Sequence, residues 1–276
     1  MKEPKLITAL RHALLLAFVL LAIYPALNVL SISLRPGNRL RSTDLAIIPP
    51  DWTLENYLHL FTEQPFLRWL GNSLIVATVV MLTGVALASI GGYAFSRFRF
   101  VGRQSLLVAI LTTQMFPATM LLLPLYILVA KLGLLNTYFG LMVFYTSTAL
   151  PFCIWQMKGF YDTIPVSLEE AARVDGCSRT EVFWRVTLPL AVPGLVITGL
   201  FSFMTAWSEY MVAAQVMQDE AMFTLPLGIR SFQASMSTQW GLYAAASMLV
   251  SIPVVIVFLM LSRYLVSGLT LGSVKE

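Results

Sequence analysis

Charge is what this chain has least of. Only 12% of its 276 residues are Asp, Glu, Lys or Arg, whereas 58% are hydrophobic. A water-soluble domain needs roughly 25% charged residues, so lipid must be the solvent for much of this chain. Two isolated histidines, His12 and His59, make no metal site by themselves. Cys153 and Cys177 both fall toward a reducing compartment, so no disulfide is expected. No Gly-Lys dipeptide occurs, which removes the phosphate-cradling loop that ends in Gly-Lys-Ser/Thr. His-Glu-x-x-His, Gly-x-Ser-x-Gly and paired intramembrane aspartates are missing too, leaving no nucleophile or metal for chemistry within the bilayer. The alternating pattern of a barrel strand is absent, which excludes a β-barrel.

Long apolar runs are what the chain has instead. A helix crosses the hydrocarbon core with roughly 20 apolar residues, and six stretches qualify, at about 10–33, 69–95, 105–130, 137–157, 191–216 and 241–262. The expectation is an all-α, polytopic membrane protein with six transmembrane helices. Six of the 18 basic residues lie on one side of such a topology: Arg35, Arg39, Arg41, Arg68, Lys131 and Arg230. The other 18 − 6 = 12 lie on the side of both termini, which places the termini in the cytoplasm. The net charge of +4 therefore reads as topology, and no nucleic-acid partner is expected. The first run is longer than a signal-peptide core and no small-x-small cleavage site follows, so it reads as a retained span.

Between the spans, Leu54, Tyr57, Leu58 and Phe61 recur at helical spacing behind Thr53, a candidate N-cap. They predict a short amphipathic helix on the outer face, as a lid over the spans or a platform for an external partner. Pro117 and Pro124 predict kinks in the third span. Glu209 is the only formal charge well inside a predicted span. It either faces a cavity or a partner helix, or reaches headgroup water from near the outer end. The outer loop at 217–240 offers Ser231, Gln233, Gln239 and Trp240, residue types that suit a hydroxyl-rich ligand or its carrier and equally any exposed loop.

One polar stretch interrupts the oil: "SLEEAARVDGCSRTEVFWRVTLPL", residues 167–190. Thr163 and Pro165 open a helix, and Ser167 stands three before Glu170, the spacing of a capping box. Gly176 is placed to end that helix in the left-handed region. A second cap, Ser178 with Glu181, begins another helix whose apolar stripe is Val182, Phe183 and Val186. Pro189 and Pro193 redirect the chain into the fifth span. The prediction is a helix–glycine–helix elbow. Glu170 as a simple cap, and the stripe as a bilayer-resting face, are the plain readings. Paired Ala171 and Ala172 allow the close approach of another backbone and favour a knob that enters a groove on a soluble partner.

Glu170-Ala171-Ala172, then Gly176, then Val186-x-Leu188-Pro189 resembles the EAA loop of ABC importer permeases, with Val186 in place of the usual isoleucine. "GGYAFSRFRFVGR", "QMFPATMLLLPLY" and "YLVSGLTLGSVKE" are similar to the smaller permease subunit of maltose and maltodextrin importers, and the likeness covers nearly the whole chain. The resemblance implies the type-1 permease fold, with residues 1–68 as first span and outer segment, 69–263 as permease core including a coupling loop at 163–190, and 264–276 as cytoplasmic tail. It implies a subunit of an ATP-driven, binding-protein-dependent oligosaccharide importer in the bacterial inner membrane. Glu169, Glu170, Ala171, Ala172, Gly176, Val182, Phe183, Val186, Leu188 and Pro189 would dock on the ATPase. Gly268, Leu269, Thr270, Gly272, Val274 and Lys275 would reach between two ATPase copies; Glu276 departs from the small final residue of the relatives. Glu209, Ser231, Gln233, Gln239 and Trp240 would serve the path or the binding protein. The implied partners are a second permease subunit, two ATPase copies, an external sugar-binding protein and lipid. No cofactor is expected in this chain, since ATP and Mg would belong to the ATPase. The competing expectation is an ion-coupled secondary carrier built on Glu209.

Overall fold

The computed structural model describes residues 5–40, 48–233 and 238–271, with the backbone alone at 5, 118 and 263–271. Its elements are helices in the order α1 Lys5–Ser33, α2 Glu55–Thr62, α3 Phe66–Arg97, α4 Arg103–Thr112, α5 Ala118–Lys131, α6 Tyr138–Asp162, α7 Val166–Val174, α8 Arg179–Val182, α9 Leu188–Leu190, α10 Val192–Ser208, α11 Met211–Val216, α12 Leu225–Ser231 and α13 Trp240–Leu271. No strand occurs among the described residues. Gly272, Val274 and Lys275 lie outside them, while Gly268, Leu269 and Thr270 continue the α13 backbone.

Among the described residues, four helices are long and apolar enough to cross a bilayer: Leu6–Ser33, Phe66–Arg97, Tyr138–Asp162 and Trp240–Ser262. Two bent pairs bring the number to six if each is one span: Arg103–Met115 with Thr119–Lys131, at 102°, and Arg179–Leu190 with Val192–Ser208, at 77°. The first break falls at Pro117, whose extended backbone (ψ 125°) separates the halves. Pro124, by contrast, lies inside α5, which continues through it.

The chain divides into two compact units. The first comprises 1–67 and 228–253. Here α1 exposes its apolar side chains from Leu6 to Ala26, as a helix designed for lipid or another membrane chain would. Its end is read by α2: the Asn56 Nδ2 donates to the carbonyls of Ser33 (3.0 Å) and Arg35 (2.9 Å), and Tyr57 meets the Ser33 hydroxyl at 2.8 Å. The inward face of α2 is thus Asn56 and Leu60, while Leu54, Leu58 and Phe61 are exposed. The apolar stripe predicted to cover the spans faces outward, because carbonyls freed at the end of α1 claim the opposite, amide-bearing face. Leu54 occupies the N-cap position; the Thr53 hydroxyl accepts only from the Glu55 amide, at 3.1 Å.

The second unit comprises 68–227 and 254–276. Its core gathers Ala88 of α3, Ala149, Cys153, Met157 and Tyr161 of α6, then Ile164, Phe183 and Ala191. Small residues let the helices close up: a Cβ on Gly92 would sit 2.6 Å from the Met157 Cβ and 2.9 Å from the Lys158 backbone nitrogen. At the other end of α3, Asn72 donates to the carbonyls of Ala221 (3.0 Å) and Phe223 (2.9 Å), and Trp69 donates to that of Glu220 at 3.0 Å. These bonds fasten the 217–225 segment, which has no helix long enough to satisfy its own carbonyls.

Two outcomes test this packing. Gly92→Val should cost about 1–3 kcal/mol or more through overpacking against backbone, whereas Gly71→Ala, with nothing within 4 Å, should be neutral; thermal unfolding in detergent distinguishes them. On α2, His59 contacts Glu63 at 2.6 Å and Glu55 at 3.5 Å. The Glu63 hydrogen bond, then its charge, raises the imidazole above the ordinary 6.5. The contact therefore supports α2 fully below that ordinary value and is lost as pH rises through the raised one. A His59 ring titration followed by NMR should show a midpoint above 6.5 that falls in Glu63→Gln.

Candidate functional site: the elbow between α6 and α10

The elbow starts where α6 stops. The Thr163 hydroxyl donates to the Phe160 carbonyl at 2.7 Å, and Pro165 takes the N-cap position of α7 with ψ 127°. The predicted Ser167–Glu170 capping box does not form. Proline already provides the extended approach, and the Leu168 amide closes the first turn on the Pro165 carbonyl (3.2 Å), which leaves Ser167 inside the helix. Glu170 is consequently free of any capping duty and exposed.

At the far end, Cys177 N–H donates to the Ala172 carbonyl (3.0 Å) and Gly176 N–H to that of Arg173 (3.1 Å), the Schellman pattern. Gly176 holds φ +95°, a conformation side chains with a Cβ resist. The second cap forms as read: Glu181 N–H reaches the Ser178 Oγ (3.3 Å) and Ser178 N–H the Glu181 Oε2 (2.9 Å). Glu181 also lies 3.5 Å from Arg185. A π-helical turn follows at Phe183–Thr187, a local widening that recurs at functional positions. It turns Val182, Phe183 and Thr187 inward, with the Phe183 ring 4.8 Å from that of Tyr93. Val182 and Phe183 thus pack within the unit. Trp184 takes the outward position; Val186 and Leu188 are half-buried, and Pro189 is exposed.

In α7 the burial pattern is inverted. Val166, Leu168 and Val174 are 50%, 45% and 89% exposed, and Ala171 is exposed with Ala172 half-buried. The one buried residue of the helix is Glu169. Its Oε1 accepts from the Arg97 Nε at 2.7 Å and its Oε2 from the Tyr93 hydroxyl at 3.1 Å. The Arg97 and Glu169 side chains are only 10% and 9% exposed. The same guanidinium donates through Nη2 to the Ile164 carbonyl and through Nη1 to the Ser96 Oγ, both at 3.0 Å. Ser96 donates in turn to Asp162 at 2.6 Å, and Asp162 pairs with Lys158. Around this network a cavity of about 180 Å³ opens, lined by Glu170, Arg173, Arg179 and Val182 among others. Sequence reasoning missed Arg97 and Tyr93 because they lie 72 and 76 positions from Glu169. Arg97 enters the sequence reading only through the count of basic residues, and Tyr93 only within "GGYAFSRFRFVGR".

Away from the elbow, the remaining predicted residues fall into two groups. Glu209 stands in extended backbone (ψ 131°) between α10 and α11, so the span expected at 191–216 is interrupted there. Its carboxylate accepts from the Tyr145 hydroxyl (2.7 Å) and the Val212 and Ala213 amides (3.0 and 3.4 Å). It caps the start of α11. In the other unit, Gln239 lines a cavity of about 270 Å³ with Gly37, Asn38, Asn56, His59 and Gln64. Asn38 clamps the loop, bonding the Thr238 carbonyl and the Trp240 amide. The Ser231 hydroxyl donates to the Gly228 carbonyl, and the Gln233 amide closes on Arg230 at 3.1 Å.

A helical membrane chain with broken spans and an exposed, capped elbow belongs to a known class. Residues 81–270 match the family described as binding-protein-dependent transport system inner membrane component, and the chain belongs to that family. Its relatives include the inner membrane ABC transporter permease protein YcjP of Escherichia coli (strain K12), 34% identical over 260 residues, spanning 94% of this chain and 93% of that one. The diacetylchitobiose uptake system permease protein DasC of Streptomyces coelicolor is 36% identical, covering 92% of each. The maltose/maltodextrin transport system permease protein MalG of Vibrio vulnificus (strain YJ016) is 38% identical, covering 96% and 94%. A chain of a bacterial ABC transporter that imports alginate superposes with TM-score 0.80 at 24% identity, over 94% of this chain and 96% of its own, and shares the fold. Apolar helices and these relatives make this a multi-pass inner membrane protein of the ABC permease class.

Removing one member of the buried pair should be costly. Arg97→Ala strands the Glu169 carboxylate, a loss of about 3–5 kcal/mol for a buried pair, and should appear as accelerated proteolysis at the 163–190 segment in membranes.

Proposed function

We propose that this chain is the permease subunit of an ATP-driven, binding-protein-dependent importer of an oligosaccharide of the maltose/maltodextrin kind. It crosses the membrane six times with both ends cytoplasmic and pairs with a second permease subunit. Two copies of an ATPase below and a sugar-binding protein outside complete the complex, with ATP and Mg held by the ATPase. Residues 1–68 form the first span and outer segment, 69–263 the permease core and 264–276 the tail.

The observation that carries this reading is the exposure of α7. A helix whose only buried side chain is a glutamate, and whose Val166, Leu168 and Val174 are all exposed, has apolar surface on more than one side awaiting a partner. Glu170, Ala171 and Ala172 add a charge and room for close approach. Closure of the ATPases around ATP would push on α7, and α3 and α6 would follow toward the outward-facing state. Relatives named for maltodextrin, diacetylchitobiose and galactooligosaccharides support a glycan cargo. Those named for maltose/maltodextrin favour an α-glucoside among these. Glu209 gives no support to an ion-coupled carrier, since its carboxylate already serves Tyr145 and two backbone amides.

Uptake of a panel of labelled gluco-oligosaccharides by membrane vesicles tests the reading. Maltooligosaccharides should accumulate only with ATP inside, and Gly176→Trp should abolish accumulation while the chain still inserts. Accumulation driven by a proton gradient without ATP would overturn it. A photo-crosslinker at Val174 should capture an ATPase subunit; capture of phospholipid alone would count against docking through α7.

A further inference from the structure

We propose that Arg97, Glu169 and Tyr93 form the mechanical joint through which movement of α7 reaches α3, and that this joint sets how much sugar moves per ATP hydrolysed. The proposal rests on the reading of α7 as the docking helix and assigns positioning roles to residues that face away from any partner.

Four features carry it. Glu169 is the only buried side chain of α7, so it is the deepest side-chain route by which a push on the helix passes inward. Arg97 is the last residue of α3, and it grips α7 at two points, the Ile164 carbonyl just before the helix and the Glu169 carboxylate one turn in. Tyr93, one turn back on α3, takes the second carboxylate oxygen. Both oxygens are thus held by one helix, which fixes the orientation of the carboxylate as well as its distance. A guanidinium fork and a phenolic hydroxyl make directional bonds. Apolar contact is non-directional and would let one helix slip past another. Third, the Ser96 hydroxyl carries the network on to Asp162, so the ends of α3 and α6 move together. Fourth, the opposite end of α7 terminates at Gly176, around which a Cβ would meet nothing within 4 Å. The Arg97 contact is thus the charged, directional route of transmission, beside the packing of α7 on α8 and the π-helical turn.

The test uses the tagged full-length chain purified with its co-expressed partners and placed in proteoliposomes. Glucoside accumulated and phosphate released are measured together, with the labelled gluco-oligosaccharide panel as substrate. Glu169→Gln should leave ATPase co-purification unchanged but lower accumulation per phosphate about fivefold or more, the scale of a typical coupling energy. Arg97→Lys keeps the charge but loses the fork, and should fall equally; the double variant should be no worse than either, because the residues act as one unit. Tyr93→Phe removes a single hydroxyl and should fall by a smaller factor in a chain that inserts normally. Tyr161→Phe, beside the joint but with a hydroxyl that meets no partner among the described residues, should match the parent. Unchanged accumulation per phosphate in Tyr93→Phe and Glu169→Gln overturns the joint. Equal decline in ATPase co-purification and accumulation also overturns it, since the residues would then serve only docking. A parent chain that holds no ATPase or accumulates no sugar rejects the underlying reading instead.

Discussion

A carboxylate and a guanidinium, each about nine-tenths buried, meet where three helices come together. Neither charge can leave that place without its partner, because an ion stripped of water and counter-charge is strongly disfavoured. The last residue of α3, the carbonyl after α6 and the interior of α7 are consequently locked to one another. The elbow can then expose nearly everything else it has. Valine and leucine on α7 remain open while the one side chain the helix buries is held by an ionic contact.

The same economy governs the breaks in the membrane-spanning part. An interrupted helix leaves amides and carbonyls without partners, and hydrocarbon offers none. At the end of α10 the Glu209 carboxylate supplies the missing acceptors, helped by the Tyr145 hydroxyl. At the end of α1, Asn56 supplies donors to two carbonyls. Asn136, with φ 53°, accepts from the Gln218 and Asp219 amides where the chain reverses after α11. These three polar side chains stand where the backbone stops being regular. Short polar residues in an apolar run are therefore structural until shown to face a cavity.

Legibility in the sequence followed the range of the interaction. The Ser178–Glu181 box and the Gly176 stop were readable because each closes within a few residues. The Ser167–Glu170 box has the same spacing and failed, since Pro165 had already set the helix start. The stripe of Val182 and Phe183 was rightly read as apolar but turned toward the elbow's own core, a direction fixed by Tyr93 in another helix. Leu54, Leu58 and Phe61 have helical spacing, yet Asn56 won the inward face because carbonyls awaited it.

By itself the sequence determined the solvent, the helical class, the run of apolar spans and the two bounded helices of the elbow. Each of these follows from composition or from contacts within one turn. Only the tertiary structure decided which way those helices face, which of the two prolines breaks span three, where span five stops, and which glutamate is spent inside. Glu169 and Glu170 are neighbours with the same chemistry, and nothing local separates their roles. An arginine 72 residues away claims the first and leaves the second free.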